Sequence, residues 1–234
     1  MDLGIKGRAA LVTGGSRGIG HETARQFLEE GVRVMICGRN AESLEKARAG
    51  LAKATGGEIH ATVADMTKTA DIERLVAAAK EKFGTVDILV NNAGQMYSGR
   101  FDVMTDAGLK EQFETKIFGF LRAIRLVYPM MKAKRWGRIV NLIGGAGKEP
   151  DPYMFGSGIT NSGLLNITKS LSGEFGEHNV LVNAVCPGWV RTEMGGQRAP
   201  LSIEDGVEGL VWLATLPDDG PTGTFSDETG VQPW

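Results

Sequence analysis

Short apolar runs alternate with longer amphipathic stretches along most of this chain. Runs rich in β-branched and aliphatic residues occupy positions 8–12, 32–36, 59–63, 86–90, 138–143 and 180–185. Between two of these runs, apolar residues recur at helical spacing over 72–83, and Gly84 follows the last of them. Such spacing indicates one buried helical face that ends at a glycine. The pattern therefore predicts strands that alternate with helices.

Further helices are predicted over 105–134, 156–175 and 202–216, with Ser202 as the N-cap of the last, and a short strand is predicted near 223–225. Strands that alternate this regularly with helices imply a parallel sheet covered on both faces. We predict a doubly wound α/β fold of the Rossmann type, with about seven strands in a single domain spanning residues 1–234. The segment 144–158, rich in glycine and proline, is the predicted active-site loop.

Composition excludes several classes of function. A hydrophobic content of 42% and a charged content of 23% are typical of a globular domain. The net charge of -2, without a basic block, argues against nucleic acid and against an anionic membrane surface as partners. No run approaches the roughly 20 apolar residues of a membrane span. Cys37 and Cys186 are far apart, and the three histidines lack metal-ligand spacing, so we expect a cytoplasmic protein without a resident metal.

A glycine-rich turn follows the first predicted strand. It reads Thr13-Gly14-Gly15-Ser16-Arg17-Gly18-Ile19-Gly20 and leads directly into a helix. In this position glycines let the backbone approach a pyrophosphate, and the N–H groups at the helix start stabilise its charge. The second strand ends at Gly38-Arg39 and has no carboxylate for a free ribose hydroxyl. Arg39 and Arg17 can instead bind a 2′-phosphate, which favours NADP(H) over NAD(H); the alternative is that Arg39 is a solvated turn residue.

Four motifs in order make the chain resemble the short-chain dehydrogenases/reductases. They are the TGxxxGxG turn, Asp65 after the third strand, Asn91-Asn92-Ala93-Gly94 after the fourth, and Pro187-Gly188 with Val190 and Thr192. The end of the chain is most similar to the carbonyl-reductase-like branch. The resemblance implies a homodimer or homotetramer. It also implies that the cofactor is held by Gly14, Ser16, Arg17, Gly18, Ile19, Gly20, Arg39, Asn40, Asp65, Met66, Asn91, Asn92, Ala93, Gly94, Pro187, Gly188, Val190 and Thr192.

The residues that carry the family's chemistry are replaced. In this family a tyrosine donates a proton, a lysine four residues later lowers the tyrosine pKa, and a serine and an asparagine complete the set. Aligning the motifs puts Ser157 at the tyrosine, Asn161 at the lysine, Gly144 at the serine and Lys116 at the asparagine. Serine is far less acidic than tyrosine, and asparagine has no charge that could lower a neighbouring pKa. All four positions are therefore changed.

Substitutes for the missing acid can be named from the sequence. Tyr153 lies one helical turn before Ser157, in the loop that faces the nicotinamide in this family, and a phenol is the right chemical type; the alternative is packing at the pocket rim. Lys116 could orient a substrate or support a proton relay, or it could lie on a solvated helix face. Ser157 and Asn161 are spaced i, i+4 and share one helical face, which either lines the pocket or is inert.

Three hypotheses about function stay open at this point. The first is an atypical NADP(H)-dependent oxidoreductase acting on a small carbonyl, imine or conjugated substrate without the tyrosine–lysine pair. The second is a catalytically inactive NADP(H)-binding protein or sensor. The third is a lyase or isomerase that reuses the pocket. Family resemblance favours the first, and in each case the expected partner is a small molecule.

Overall fold

Eight strands form a single sheet in the computed structural model, which describes residues 3–233. They are β1 (Ala9–Thr13), β2 (Arg33–Gly38), β3 (Ile59–Val63), β4 (Ile88–Asn91), β5 (Gly137–Leu142), β6 (Val180–Val185), β7 (Phe225–Asp227) and β8 (Gly230–Gln232). Their order across the sheet is β3-β2-β1-β4-β5-β6-β7-β8. The first seven run parallel, and β8 pairs antiparallel with β7.

Helices connect the parallel strands. They are α1 (Gly18–Glu29), α2 (Ala41–Thr55), α3 (Thr69–Phe83), α4 (Asp106–Gln112), α5 (Gly119–Lys134), α6 (Phe155–Phe175) and α7 (Ile203–Ala214). A π-helical turn, Phe113–Phe118, joins α4 to α5 without a break in the helix. The helix predicted over 105–134 is therefore present, with a π-helical turn inside it that its apolar pattern does not reveal.

Alternate residues of the central strand face opposite layers of the core. On β1, Ala10 and Val12 belong to the hydrophobic cluster formed with α1, α2 and α7, whereas Ala9 and Leu11 belong to the cluster formed with α3 and α5. All four side chains are almost fully buried. Helices thus cover both faces of the sheet, which explains the continuous apolar runs and confirms the doubly wound prediction.

The predicted end of the sheet was wrong in its bounds. Gly223 has φ +71 and forms a turn, so the strand predicted near 223–225 starts only at Phe225, as β7. The hairpin strand β8 was missed because its three residues are largely exposed and show no buried face. By contrast, Ser202 caps α7 as predicted, in a capping box with Asp205.

Candidate cofactor-binding and active site

The carboxyl ends of the parallel strands meet at one edge of the sheet. Strand β1 lies between β2 and β4, and Asn91 at the end of β4 is in register with Asn141 on β5. This edge therefore carries the glycine-rich turn, the loops after β4 and β5, and the segments Gly38-Arg39 and Pro187-Gly188. In open α/β sheets ligands bind at this edge, where the strand order reverses between β1 and β4.

The glycine-rich turn closes tightly on the start of α1. A Cβ atom placed on Gly20 would lie 2.4 Å from the Gly14 carbonyl oxygen and 2.5 Å from Asn92 Nδ2. Arg17, the N-cap residue of α1, makes no side-chain cap bond, so the first N–H groups of the helix are left to other acceptors. A glycine-walled cradle at a helix N-terminus fits a pyrophosphate.

The loop after β4 stabilises this turn through hydrogen bonds. Asn92 Nδ2 donates to the carbonyl oxygens of Thr13 (2.8 Å) and Gly14 (3.1 Å). The Thr13 hydroxyl accepts hydrogen bonds from the main-chain N–H groups of Asn92 and Ala93, each at 3.0 Å, and donates to the Val90 carbonyl. The Asn92 amide nitrogen thus makes its hydrogen bonds within the protein, and these bonds stabilise the conformation of the glycine-rich turn.

Both arginines predicted to bind the 2′-phosphate are exposed beside the cleft, and each is paired with a carboxylate. Arg39 Nη1 lies 3.8 Å from Glu111 Oε1 on α4, and the two side chains are 64% and 45% exposed. Arg17 forms an ion pair with Glu193 in the loop after β6. Ion pairs this exposed contribute little free energy, so a phosphate can replace either carboxylate.

Three of the predicted cofactor residues have side chains that belong to the core. Met66 and Val190 are each 4% exposed, and Asn91 is fully buried, with Asn91 Nδ2 donating to Asn141 Oδ1 at 2.9 Å. Any cofactor contact of these three would come from the main chain. The Asp65 carboxylate accepts hydrogen bonds from the main chain and hydroxyl of Thr67.

The other predicted cofactor residues lie on the same edge of the sheet. Asn40 is the N-cap of α2, where its side chain accepts from the Ser43 N–H. Thr192 reaches the glycine-rich turn, since its Cγ2 is 3.4 Å from a Cβ placed on Gly18. The glycine-rich turn and the loops after β4 and β6 hold the rest, which are Ser16, Ile19, Gly94, Pro187 and Gly188.

Three of the four positions predicted to replace the family's catalytic residues are in contact. Lys116 Nζ, on the π-helical turn, donates to Asn161 Oδ1 on α6 at 2.6 Å. A Cβ placed on Gly144 would lie 3.0 Å from Asn161 Nδ2, so the amide occupies the space that a serine side chain there would need. The sequence analysis predicts Lys116 at the family's asparagine position and Asn161 at its lysine position, and the structure places these two side chains in direct contact.

Within residues 3–233, Lys116 has no anionic partner. The residue is partly buried, and its Cε lies 3.3 Å from a Cβ placed on Gly94. Burial lowers the pKa of Lys116 to about 8, because desolvation disfavours the charged form. Burial also raises the pKa of the nearby Cys186 thiol, which is therefore neutral near pH 7. Within residues 3–233, Lys116 forms no ion pair.

Ser157 and Tyr153 are poorly placed for acid–base chemistry. Ser157 is 5% exposed, and its hydroxyl accepts from the Tyr97 N–H (3.1 Å) and donates to the Tyr97 carbonyl (3.3 Å). Tyr153 is 60% exposed and is held through its main chain, which bonds to Asp151 and Gly99. Of the substitutes named from the sequence, Lys116 is thus the one that combines a labile proton with a position between the loop after β4 and α6.

Comparison with known proteins agrees with this geometry. The sequence model of the family described as short chain dehydrogenase matches residues 8–200. The chain belongs to this family. The uncharacterized oxidoreductase YvrD of Bacillus subtilis is 34% identical to it over 194 residues, which are 82% of this chain and 72% of YvrD.

Two solved structures of dehydrogenase family members are similar over nearly their whole length. L-sorbose reductase of Gluconobacter frateurii, solved with NADPH and L-sorbose, has a TM-score of 0.90 and 25% identity, with 97% of each chain covered. An NADPH-bound short chain oxidoreductase of Pseudomonas aeruginosa PAO1, described as containing an atypical catalytic center, has a TM-score of 0.89 and 26% identity, with 94% of each chain covered.

Tyr97 is a site residue of this short-chain dehydrogenase family member that the sequence analysis missed. Its hydroxyl is bonded to the Thr105 hydroxyl (3.2 Å) and accepts from the Thr105 N–H (3.1 Å), and these bonds lower the pKa of the Tyr97 phenol. Its ring lies 2.8 Å from a Cβ placed on Gly156, beside Ser157. The only signal in the sequence was a phenol three residues after Gly94.

Residues 3–233 contain neither a metal-binding cluster nor a membrane-spanning helix. Across residues 3–233, no group of three or more His, Cys, Asp and Glu side chains is arranged to hold a metal ion. In the same part of the chain, no helix combines the length and the apolar character that crossing a bilayer would take.

Proposed function

We propose that this family member is an NADP(H)-dependent reductase of a small neutral carbonyl compound, in which Lys116 replaces the usual tyrosine as the proton donor. The observation that carries the proposal is the 2.6 Å contact between Lys116 Nζ and Asn161 Oδ1 at the cofactor edge of the sheet. We also propose that the protein forms a homodimer or homotetramer, as its family resemblance implies.

The residues present fit the dinucleotide. The glycine-rich turn and the N-terminus of α1 would hold the pyrophosphate, because no side chain caps the first N–H groups of α1 and a side chain at Gly20 is excluded. Arg39 and Arg17 would hold the 2′-phosphate. The NADPH-bound state of both similar structures supports this assignment. When bound, NADPH supplies a hydride.

Lys116 supplies the proton in this proposal. Its ammonium donates a hydrogen bond to the carbonyl oxygen and stabilises the negative charge that develops there, while Asn161 Oδ1 fixes the direction of the amine. With a pKa of about 8, this ammonium is a stronger acid than an unperturbed phenol, whose pKa is about 10. The protonated form is the active one, so the rate should fall as pH rises through about 8.

The positive charge of Lys116 favours neutral carbonyl substrates over cationic imines. An iminium ion needs no acid for hydride addition and would be repelled by an ammonium in the same pocket. A neutral aldehyde or ketone needs the acid and is attracted through its oxygen. The geometry therefore favours a carbonyl over a cationic imine.

Turnover with defined acceptors tests the proposal. NADPH absorbance would be followed with panels of aldehydes, ketones, activated alkenes and cyclic iminium ions. We expect consumption of NADPH with neutral carbonyls and little with iminium ions. Tight NADPH binding that raises the melting temperature, with no acceptor reduced, would contradict the proposal and favour an inactive binding protein. Product formation without a change in NADPH absorbance would favour a lyase or isomerase.

Replacing Arg39 tests the nucleotide preference. Arg39→Ala should weaken NADPH binding by about 10- to 100-fold, because one charge-assisted hydrogen bond of ~1.5–3 kcal/mol is lost. NADH binding should not change, since NADH has no 2′-phosphate. Isothermal calorimetry with both nucleotides gives the two Kd values.

The ion pair with Glu111 provides the matched control for this experiment. Glu111→Gln removes the carboxylate that competes for Arg39 and should tighten NADPH binding a few-fold. If Arg39→Ala weakened the binding of NADPH and NADH equally, Arg39 would have no role in phosphate recognition.

A further inference from the structure

Lys116 differs from a lysine in an ordinary salt bridge by the nature of its partner. Lys134 illustrates the ordinary case, since its ammonium contacts the carboxylate of Asp87. Lys116 instead donates to the oxygen of a neutral amide at 2.6 Å. The amide orients the nitrogen without holding its proton.

Within residues 3–233, no carboxylate lies within ion-pair distance of the Lys116 ammonium. On its own π-helical turn, Glu114 is paired with Arg122 at 2.9 Å. Asn161 on α6 is neutral, and the loop after β4 approaches the Lys116 side chain at Gly94, which has no side chain. The segment after β6 contributes the Cys186 thiol, which burial keeps protonated. Because burial lowers the pKa of Lys116 to about 8, a larger fraction of it is the free amine near neutral pH than of an exposed lysine.

We propose that the free amine of Lys116 condenses reversibly with an aldehyde or ketone, so that the pocket also binds carbonyl compounds covalently as an imine. Once the ammonium has lost its proton to solvent, the Nζ lone pair attacks the carbonyl carbon and a C–N bond forms. The oxygen takes up protons and leaves as water, and a C=N bond results. Amine and carbonyl thus give imine and water, with no oxidant or reductant involved.

The proposal rests on the proposed function only for the carbonyl class of the ligand, and pH separates the two roles of Lys116. Below about pH 8 the ammonium is present and can act as an acid. Above about pH 8 the amine predominates and can act as a nucleophile. A desolvated lysine in a pocket is the usual form of an imine-forming lysine.

Trapping the imine tests the inference. The protein, without nucleotide, would be treated with propionaldehyde and sodium cyanoborohydride at a series of pH values, and labelled peptides would be measured by mass spectrometry. At pH about 7.5 we expect Lys116 to be alkylated about 10- to 100-fold faster than the exposed Lys46. The labelling rate of Lys116 should rise with a midpoint near pH 8, whereas that of an exposed lysine rises near about pH 10.

Asn161→Asp is a matched variant that changes only the partner. The carboxylate should hold the proton on Lys116, so labelling at pH about 7.5 should fall to the rate of Lys46 or below. Lys116→Arg should lose the label at this position while the melting temperature shows that the fold is retained. Labelling of Lys116 no faster than that of Lys46 in the wild type, or with a midpoint near pH 10, would overturn the proposal.

The outcomes of the trapping and turnover experiments are independent. A protein that reduces ketones with NADPH but shows no selective label at Lys116 refutes the imine and leaves the reductase in place. A protein whose Lys116 is labelled selectively, but which consumes no NADPH with any acceptor, refutes the reductase and leaves the covalent site.

Discussion

Replacing Lys116 with methionine is expected to lower kcat for an aldehyde or ketone by about 100- to 10,000-fold, the range by which a positioned general acid accelerates a reaction. Methionine has a similar length and no proton to donate. The Kd for NADPH should be unchanged, because phosphate binding is assigned to the glycine-rich turn and the two arginines. Steady-state rates at saturating acceptor, with calorimetry for NADPH, give both quantities.

The pH profile separates an acid from a structural lysine. The wild-type rate should be level below about pH 8 and fall about tenfold per pH unit above it, because the ammonium is the active form and its pKa is about 8. Lys116→Met should show no break in this region. Lys116→Arg keeps a charge that is not lost near neutrality, so it too should show no break near pH 8. A kcat of Lys116→Met within a few-fold of the wild type would refute the assignment.

Loss of fold does not complicate this variant. Because the folded-state pKa of Lys116 is lower than that of an unfolded lysine, the ammonium destabilises the folded state below about pH 8. This penalty disappears as pH rises from about 8 towards about 10.4, the ordinary lysine pKa. Methionine removes the buried charge at neutral pH, which offsets the donor that Asn161 loses. We expect a melting temperature within a few degrees of the wild type.

The surroundings of the four positions predicted to replace the family's catalytic residues lead us to expect that single reversions do not restore the family's site. Serine at position 144 would have its Cβ 3.0 Å from the Asn161 amide nitrogen. Tyrosine at position 157 would remove both hydrogen bonds that Ser157 makes with the Tyr97 main chain. Only together do Gly144, Asn161 and Lys116 form a compatible group.

Sequence patterns predicted the fold because the central parallel strands are buried on both faces and the longer helices on one. The residues of β1 and β6, for example, are fully buried. The buried face of α3 ends at Phe83, and Gly84 follows as the C-cap, as expected. The strand β8 and the π-helical turn leave no such pattern. The contact between Lys116 and Asn161 joins residues 45 apart, and that between Ser157 and Tyr97 joins residues 60 apart. Such pairings depend on loop conformation, which periodicity does not encode.

Gly20→Ala is expected to weaken NADPH binding by more than about 100-fold. The added Cβ would lie 2.4 Å from the Gly14 carbonyl oxygen and 2.5 Å from Asn92 Nδ2, closer than any real contact. One of these atoms is main chain, so the turn itself must move. Its displacement would break the bonds from Asn92 to Thr13 and Gly14 and redirect the N–H groups at the start of α1. Calorimetry gives the Kd, and thermal melting shows how much of the fold remains.

Gly50→Ala is the matched control, because Gly50 lies in α2, is exposed and has no atom within 4 Å of an added Cβ. There the same methyl group should leave the Kd for NADPH unchanged and stabilise the fold by ~0.5–1 kcal/mol, since alanine favours a helix interior over glycine. The two variants differ only in what the methyl group meets. If folded Gly20→Ala bound NADPH within about threefold of the wild type, the tight turn would not be the phosphate site, and the nucleotide would have to be held elsewhere on the sheet edge.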